Sequence, residues 1–194
     1  MQHLSGFDTI GEPYSIAVDS KGGVLVATTS RRIEIYDESG RLGNHFDIPS
    51  APQILNVAPI YISATCTTSG REILISDSLS KFVSRHSYDG RLVERFQPRH
   101  GEEVSGLGFT PAGVAVNTRG RLIVADMLNG VVGQLDETGT VIEHLVGPME
   151  DGVGVHAVAL GPEGHLVVAE FTANGRQRVN VYQYRRCQCH PCQR

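Results

Sequence analysis

Short apolar runs of four to six residues alternate along the chain with turns rich in Gly, Asp and Asn. The clearest stretch reads Pro111-Ala-Gly-Val-Ala-Val116, a Gly120 turn, then Leu122-Ile-Val-Ala-Asp126. A short loop through Asn129 leads to Val131-Val-Gly-Gln-Leu135, a turn Asp136-Glu-Thr-Gly139, and Thr140-Val-Ile-Glu-His-Leu145. Runs this short, bounded by turn residues, predict β-strands joined by tight turns.

The same order recurs four times. The first copy is Glu12-Pro-Tyr-Ser-Ile-Ala-Val18, Val24-Leu-Val-Ala-Thr28, Ile33-Glu-Ile-Tyr36 and Asp37-Glu-Ser-Gly40-Arg-Leu42. The second and most diverged is Ile60-Tyr-Ile-Ser-Ala64, Glu72-Ile-Leu-Ile-Ser-Asp77, Phe82-Val-Ser-Arg and Tyr88-Asp-Gly90-Arg-Leu-Val. The last is Val155-His-Ala-Val-Ala-Leu160, His165-Leu-Val-Val-Ala-Glu170 and Val179-Asn-Val-Tyr-Gln-Tyr184. Taking Ala17, Ala64, Ala115 and Ala159 as landmarks, the repeats are spaced by 47, 51 and 44 residues. That period suits a four-stranded propeller blade. The first strand of each copy is nearly all apolar, as an innermost strand buried on both faces should be; the third alternates. Gly40, Gly90 and Gly139 stand where an Asp-x-x-Gly or Asp-Gly hairpin needs a positive φ. The predicted fold is an all-β β-propeller of about four four-stranded blades.

The fourth copy stops after its third strand. His3-Leu-Ser-Gly-Phe7 reads as a detached fourth strand that, in a closed ring, would complete the last blade and cover its edge. Four copies suit either a four-bladed ring or part of a larger one. The expected boundaries are a propeller over 1–186 and a flexible Cys-rich tail over 187–194.

These residues resemble the NHL repeat, whose pattern is roughly Pro-x-Gly-Ile-Ala-Val, a Gly turn, Ile-x-Val-x-Asp, then Asn-x-Arg-Val. Pro111–Val116 with Leu122–Asp126 and Asn129 carries the likeness, as do Leu166–Glu170 with Asn174 and Arg178-Val179. The closing Val179–Tyr184 looks like the end of the C-terminal propeller in tripartite-motif proteins of the NHL class. The resemblance implies a ubiquitin-ligase context, with RNA-binding propellers among such relatives. RING and B-box cysteines are absent from this chain, so ligase chemistry is not expected within it.

Composition narrows the classes. The chain has 194 residues, 22 of them Gly, no Trp and a formal net charge of −4. No window approaches the roughly 18 apolar residues of a membrane span, so no membrane partner is expected. The N-terminus lacks the basic and apolar regions of a signal peptide, and Cys66 stands apart from Cys187, Cys189 and Cys192. The expected location is cytoplasmic.

Candidate chemistry follows from the topology. A lactonase- or lyase-like propeller enzyme, the most distant alternative, needs metal ligands on the inner strands, where Tyr14, Ala112 and His156 stand. One imidazole does not make a catalytic metal site, so no enzyme activity, cofactor or metal is expected. Asp77, Asp126 and Glu170 recur at one repeat position and are expected to hold adjacent loops. Loops between the second and third strands share one end of the fold with the blade connections, and carry Arg31, Arg32, Lys81, Arg176 and Arg178. These five are the predicted contacts for a macromolecular partner, first a protein and second a single-stranded RNA held through its phosphates.

Overall fold

A computed structural model describes residues 6–19, 21–49, 60–67, 70–100, 108–117, 119–149, 152–161, 164–172 and 174–184, which contain no helix. Blade one is a sheet of β1 (Pro13–Val18), β2 (Val24–Thr28), β3 (Arg32–Tyr36) and β4 (Leu42–Asp47), in that order. Blade two comprises β5 (Ile60–Thr67), β6 (Gly70–Asp77), β7 (Phe82–Ser87) and β8 (Leu92–Phe96). A two-residue strand β9 (Arg99–His100) then pairs in parallel with the outer strand of blade three. That blade is built from β10 (Pro111–Val116), β11 (Leu122–Asp126), β12 (Val131–Leu135) and β13 (Thr140–Val146). Blade four has three strands, β14 (Val153–Leu160), β15 (His165–Thr172) and β16 (Gln177–Gln183). Within each blade neighbouring strands run antiparallel. The predicted β-propeller of four repeats is what the chain forms.

Side chains alternate between the two faces of each sheet, and both faces of the second strands of blades one to three are buried, while β15 of blade four buries only one. Leu25 and Ala27 point to blade two, where they meet Ile73 and Ile75. Leu74 and Val83 pack on Val124 and Leu135 of blade three. Ile123 and Ala125 in turn pack on Val155, Leu166 and Val168 of blade four. The core is therefore three slabs, one per blade junction, in which each fully buried aliphatic side chain contributes about 1.5–3 kcal/mol.

A fourth slab, between blades four and one, is absent among the described residues. The inner strand of blade three is buried as expected, but β1 and β14 are not. Ile16 is 68% and Val18 61% exposed on blade one, with Val179 at 66% and Val181 at 63% on blade four. The expected strand His3–Phe7 falls mostly outside the described residues, and its described part, from Gly6 onward, does not pair with blade four. Phe7 instead lies against Tyr36 of blade one, ring centroids 4.7 Å apart. Ile10 and Gly11 donate their amides to the buried Glu34 carboxylate. Among the described residues the sheet of blade four has three strands; His3, Leu4 and Ser5 lie outside them.

The junction of blades one and two contains a pH-sensitive contact. His86 of β7 is buried and stacks on Phe46 at 5.5 Å. Its Nε2 lies 3.0 Å from Ser84 Oγ and its Nδ1 3.3 Å from the Gly90 carbonyl. Burial holds the imidazole below its ordinary value, against a smaller upward pull from Gly90. The unfolded chain therefore takes up this proton first as pH falls. The contribution is complete above the unfolded pKa near 6.5 and declines below it. Thermal melts should show Tm falling between pH 7.5 and 5.5, and His86→Phe should flatten that dependence while keeping the stack. An unchanged slope in the variant would show that other groups carry it.

Candidate functional site

The turns between second and third strands are tight. In blades one to three each places one residue in the left-handed region: Arg31 at φ 62°, Lys81 at 59° and Gly130 at 60°. Such a conformation costs a residue other than glycine roughly 1–2 kcal/mol. All five predicted contact residues do lie at this end of the blades, but they are not equivalent.

Arg31 is a strut between blades. Its Nη2 donates to Asp77 Oδ2 at 2.5 Å and to the Pro49 carbonyl at 3.4 Å, and its side chain is only 13% exposed. Burial raises the Asp77 carboxyl, yet Arg31 and the Ser80 hydrogen bonds outweigh it and hold the group below its usual range. Arg32 pairs across the strands with Asp47 at 2.8 Å, and Arg178 Nε donates to the buried Glu170 at 3.2 Å. Lys81 and Arg176 have no carboxylate partner among the described residues. Leu128, 52% exposed at the tip of the β11–β12 turn, stands on the blade between theirs. The predicted row of five cations is thus a smaller, mixed surface among the described residues: two cations without a carboxylate partner there, the half-committed Arg178 and one apolar tip.

The acidic residues at the ends of the second strands hold loops, as their recurrence suggested. Asp77 Oδ1 accepts the amides of Leu79 and Ser80. Asp126, fully buried, accepts from the Thr110 amide at 3.1 Å, the Asn129 side chain at 2.7 Å and His100 Nε2 at 2.8 Å. Sequence reasoning missed the His100 contact, since the partners are 26 residues apart and belong to different repeats. Glu170 is contacted by Arg178, Asn180 and Tyr182.

His156 stands on β14 in a T-shaped contact with Phe171, centroids 5.9 Å apart, and burial lowers its pKa. It lines a cavity of about 690 Å³ with Glu170, Phe171, Thr172 and Arg178 of blade four and Met127 of blade three. No group of three or more His, Cys, Asp or Glu side chains converges among the described residues. Cys187, Cys189 and Cys192 lie outside the described residues.

No family model and no curated relative matches the chain. Solved structures do. Virginiamycin B lyase from Staphylococcus aureus is similar with a TM-score of 0.57 at 16% identity, over 87% of this chain and 55% of that one. A protein of unknown function from Bacteroides caccae gives a TM-score of 0.62 at 17% identity, covering 87% of this chain and 60% of that one. The WD40 β-propeller domain of Doa1 gives 0.57 at 18% identity, over 88% and 53%. The chain spans little more than half the length of these propellers, and the likeness is one of fold.

Proposed function

We propose that this propeller is a non-catalytic interaction module that docks a protein partner at its loop end. The NHL resemblance adds a ubiquitin-ligase-like setting to that reading. The observation that carries it is Lys81. It keeps a long side chain in a left-handed turn where blade three uses glycine, and among the described residues no carboxylate repays that strain. Arg31 shares the conformation, but its ion pair with Asp77 accounts for it. Together with Arg176 and the exposed Leu128, Lys81 favours an acidic segment carrying an apolar anchor. A WD40 propeller among the structural neighbours is consistent with docking.

Single-stranded RNA is the second reading, favoured by the same cations. It lacks exposed aromatic rings on the described loops for bases to stack on. The lyase-like reading would rest on the His156 cavity; a catalytically inactive His-to-Ala variant is known for the Staphylococcus aureus virginiamycin B lyase.

One titration separates the first two. Fluorescent acidic peptides with a single Leu or Phe should bind the chain, and the Lys81→Glu/Arg176→Glu variant should weaken them about tenfold or more without shifting Tm. A random single-stranded RNA pool should not bind at low salt. RNA binding with a log–log salt slope near −2, as neutralising about three phosphates requires, would overturn the protein reading in favour of RNA.

A further inference from the structure

The two open ends of this arc are the two halves of one blade junction. At the junction of blades one and two, blade one presents Ala17, Leu25, Ala27, Ile33 and Ile35. The repeat puts Ala159, Val167, Ala169, Val179 and Val181 at the same positions of blade four, small and aliphatic in the same places, with no blade to receive them. Blade one offers the opposite face, with Ile16 and Val18 bare.

The N-terminal segment shows what covers them. The hairpin glycines of blades two and three each lie under a phenylalanine from the outer strand of the preceding blade. Phe46 of β4 sits over Gly90 of blade two, and Phe96 of β8 over Gly139 of blade three. Phe7 occupies the same place over Gly40 of blade one. Phe7 is therefore seated as the outer-strand residue of a blade that precedes blade one, while among the described residues the sheet of blade four lacks an outer strand.

We propose that two copies of this chain close one ring, the N-terminal segment of each copy serving as the fourth strand of the other copy's blade four. Two copies bring eight blades, inside the range of closed propellers, and one copy covers 53–60% of the neighbouring propellers. The arrangement is two-fold symmetric and buries both apolar ends and the edge of β16. It also predicts a register. In blade one, Ile33 is opposite Phe46, and Arg32 is opposite and ion-paired with Asp47. By the same alignment Val179 faces Phe7 of the other copy, and Arg178 faces Asp8. Asp8 is exposed and makes no ion pair among the described residues.

Sedimentation equilibrium of the 194-residue chain should give twice its 21.0 kDa mass. Arg178→Asp alone and Asp8→Arg alone each set like charges against one another at both junctions, and should raise the dissociation constant about tenfold or more. Mixing the two variants matches charges at both junctions and should restore the unaltered affinity, which only pairing between copies can do. A mass of 21.0 kDa that persists at tens of micromolar overturns the proposal, whether further blades, a foreign segment or closure within one copy then covers the ends. So does a dimer indifferent to both variants and to their mixing.

Discussion

Asp126→Ala should lower the unfolding free energy by about 3–5 kcal/mol, a large share of the 5–15 kcal/mol of an ordinary domain. The carboxylate is fully buried where β11 ends, and three elements meet on it. His100 reaches it from β9, the Thr110 amide from the approach to β10, and the Asn129 side chain from the β11–β12 turn. Alanine would leave the Thr110 amide and His100 Nε2 buried without that acceptor, each at a cost of about 1–3 kcal/mol, while the half-buried Asn129 keeps the Gly108 carbonyl. Asp126→Asn separates hydrogen bonding from charge. It keeps an acceptor for the Thr110 amide, and its amide can serve His100 once the imidazole shifts its proton to Nδ1, and Asn129 once that side chain turns its oxygen inward. That variant should lose less than half as much. Urea unfolding of both variants is the check. A loss below about 1 kcal/mol for Asp126→Ala would mean that water enters the site and the three donors are not dependent on the carboxylate.

The fold was legible because repetition amplifies weak signals. A single run such as Val24-Leu-Val-Ala27 is ambiguous, but four runs at a shared period, each followed by a glycine turn, are not. The hairpin glycines are where the pattern put them: Gly40, Gly90 and Gly139 have φ of 80°, 84° and 84°. Pairing between repeats was not legible. Arg31 and Asp77 are 46 residues apart, and nothing local in either sequence marks the other as its partner. The five cations therefore read as equivalent, although three are committed to carboxylates. The burial of His86 and His100 is unmarked in their own segments for the same reason; Phe46 of blade one covers the first, and Asp126 and Phe109 meet the second. The Phe7, Phe46 and Phe96 series was the one unused signal, each phenylalanine followed by Asp or Gln and preceding the next repeat. It points to an outer strand at the N-terminus, as the sequence suggested, but seats it on blade one.

Gly113→Val should detach blade four from blade three. Gly113 lies within the irregular stretch of β10 between Pro111 and Val114, and the inner strand of blade four passes directly over it. A Cβ at this position would stand 2.6 Å from Ala157 Cα and from Val158 N. Both atoms are backbone, so no rotamer change relieves the overlap, and β14 itself has to move. The same position in blade one is Ser15 and in blade four Ala157, so glycine here answers the close approach at this junction and not the turn chemistry of the repeat. Overpacking a well-filled core costs about 1–3 kcal/mol for one or two added carbons, and three added against rigid backbone should lie at or above the upper end. The damage should be local. Ile123 and Ala125 would lose Val155, Leu166 and Val168 at the one junction blade four makes among the described residues, while the junctions of blades one to three stay intact. Hydrogen exchange should then show β14, β15 and β16 unprotected, with β2, β6 and β11 still slow, and the melt should separate into two transitions. A single cooperative transition at the unaltered Tm would mean that the two inner strands can part at no cost, and that blade four does not depend on this contact.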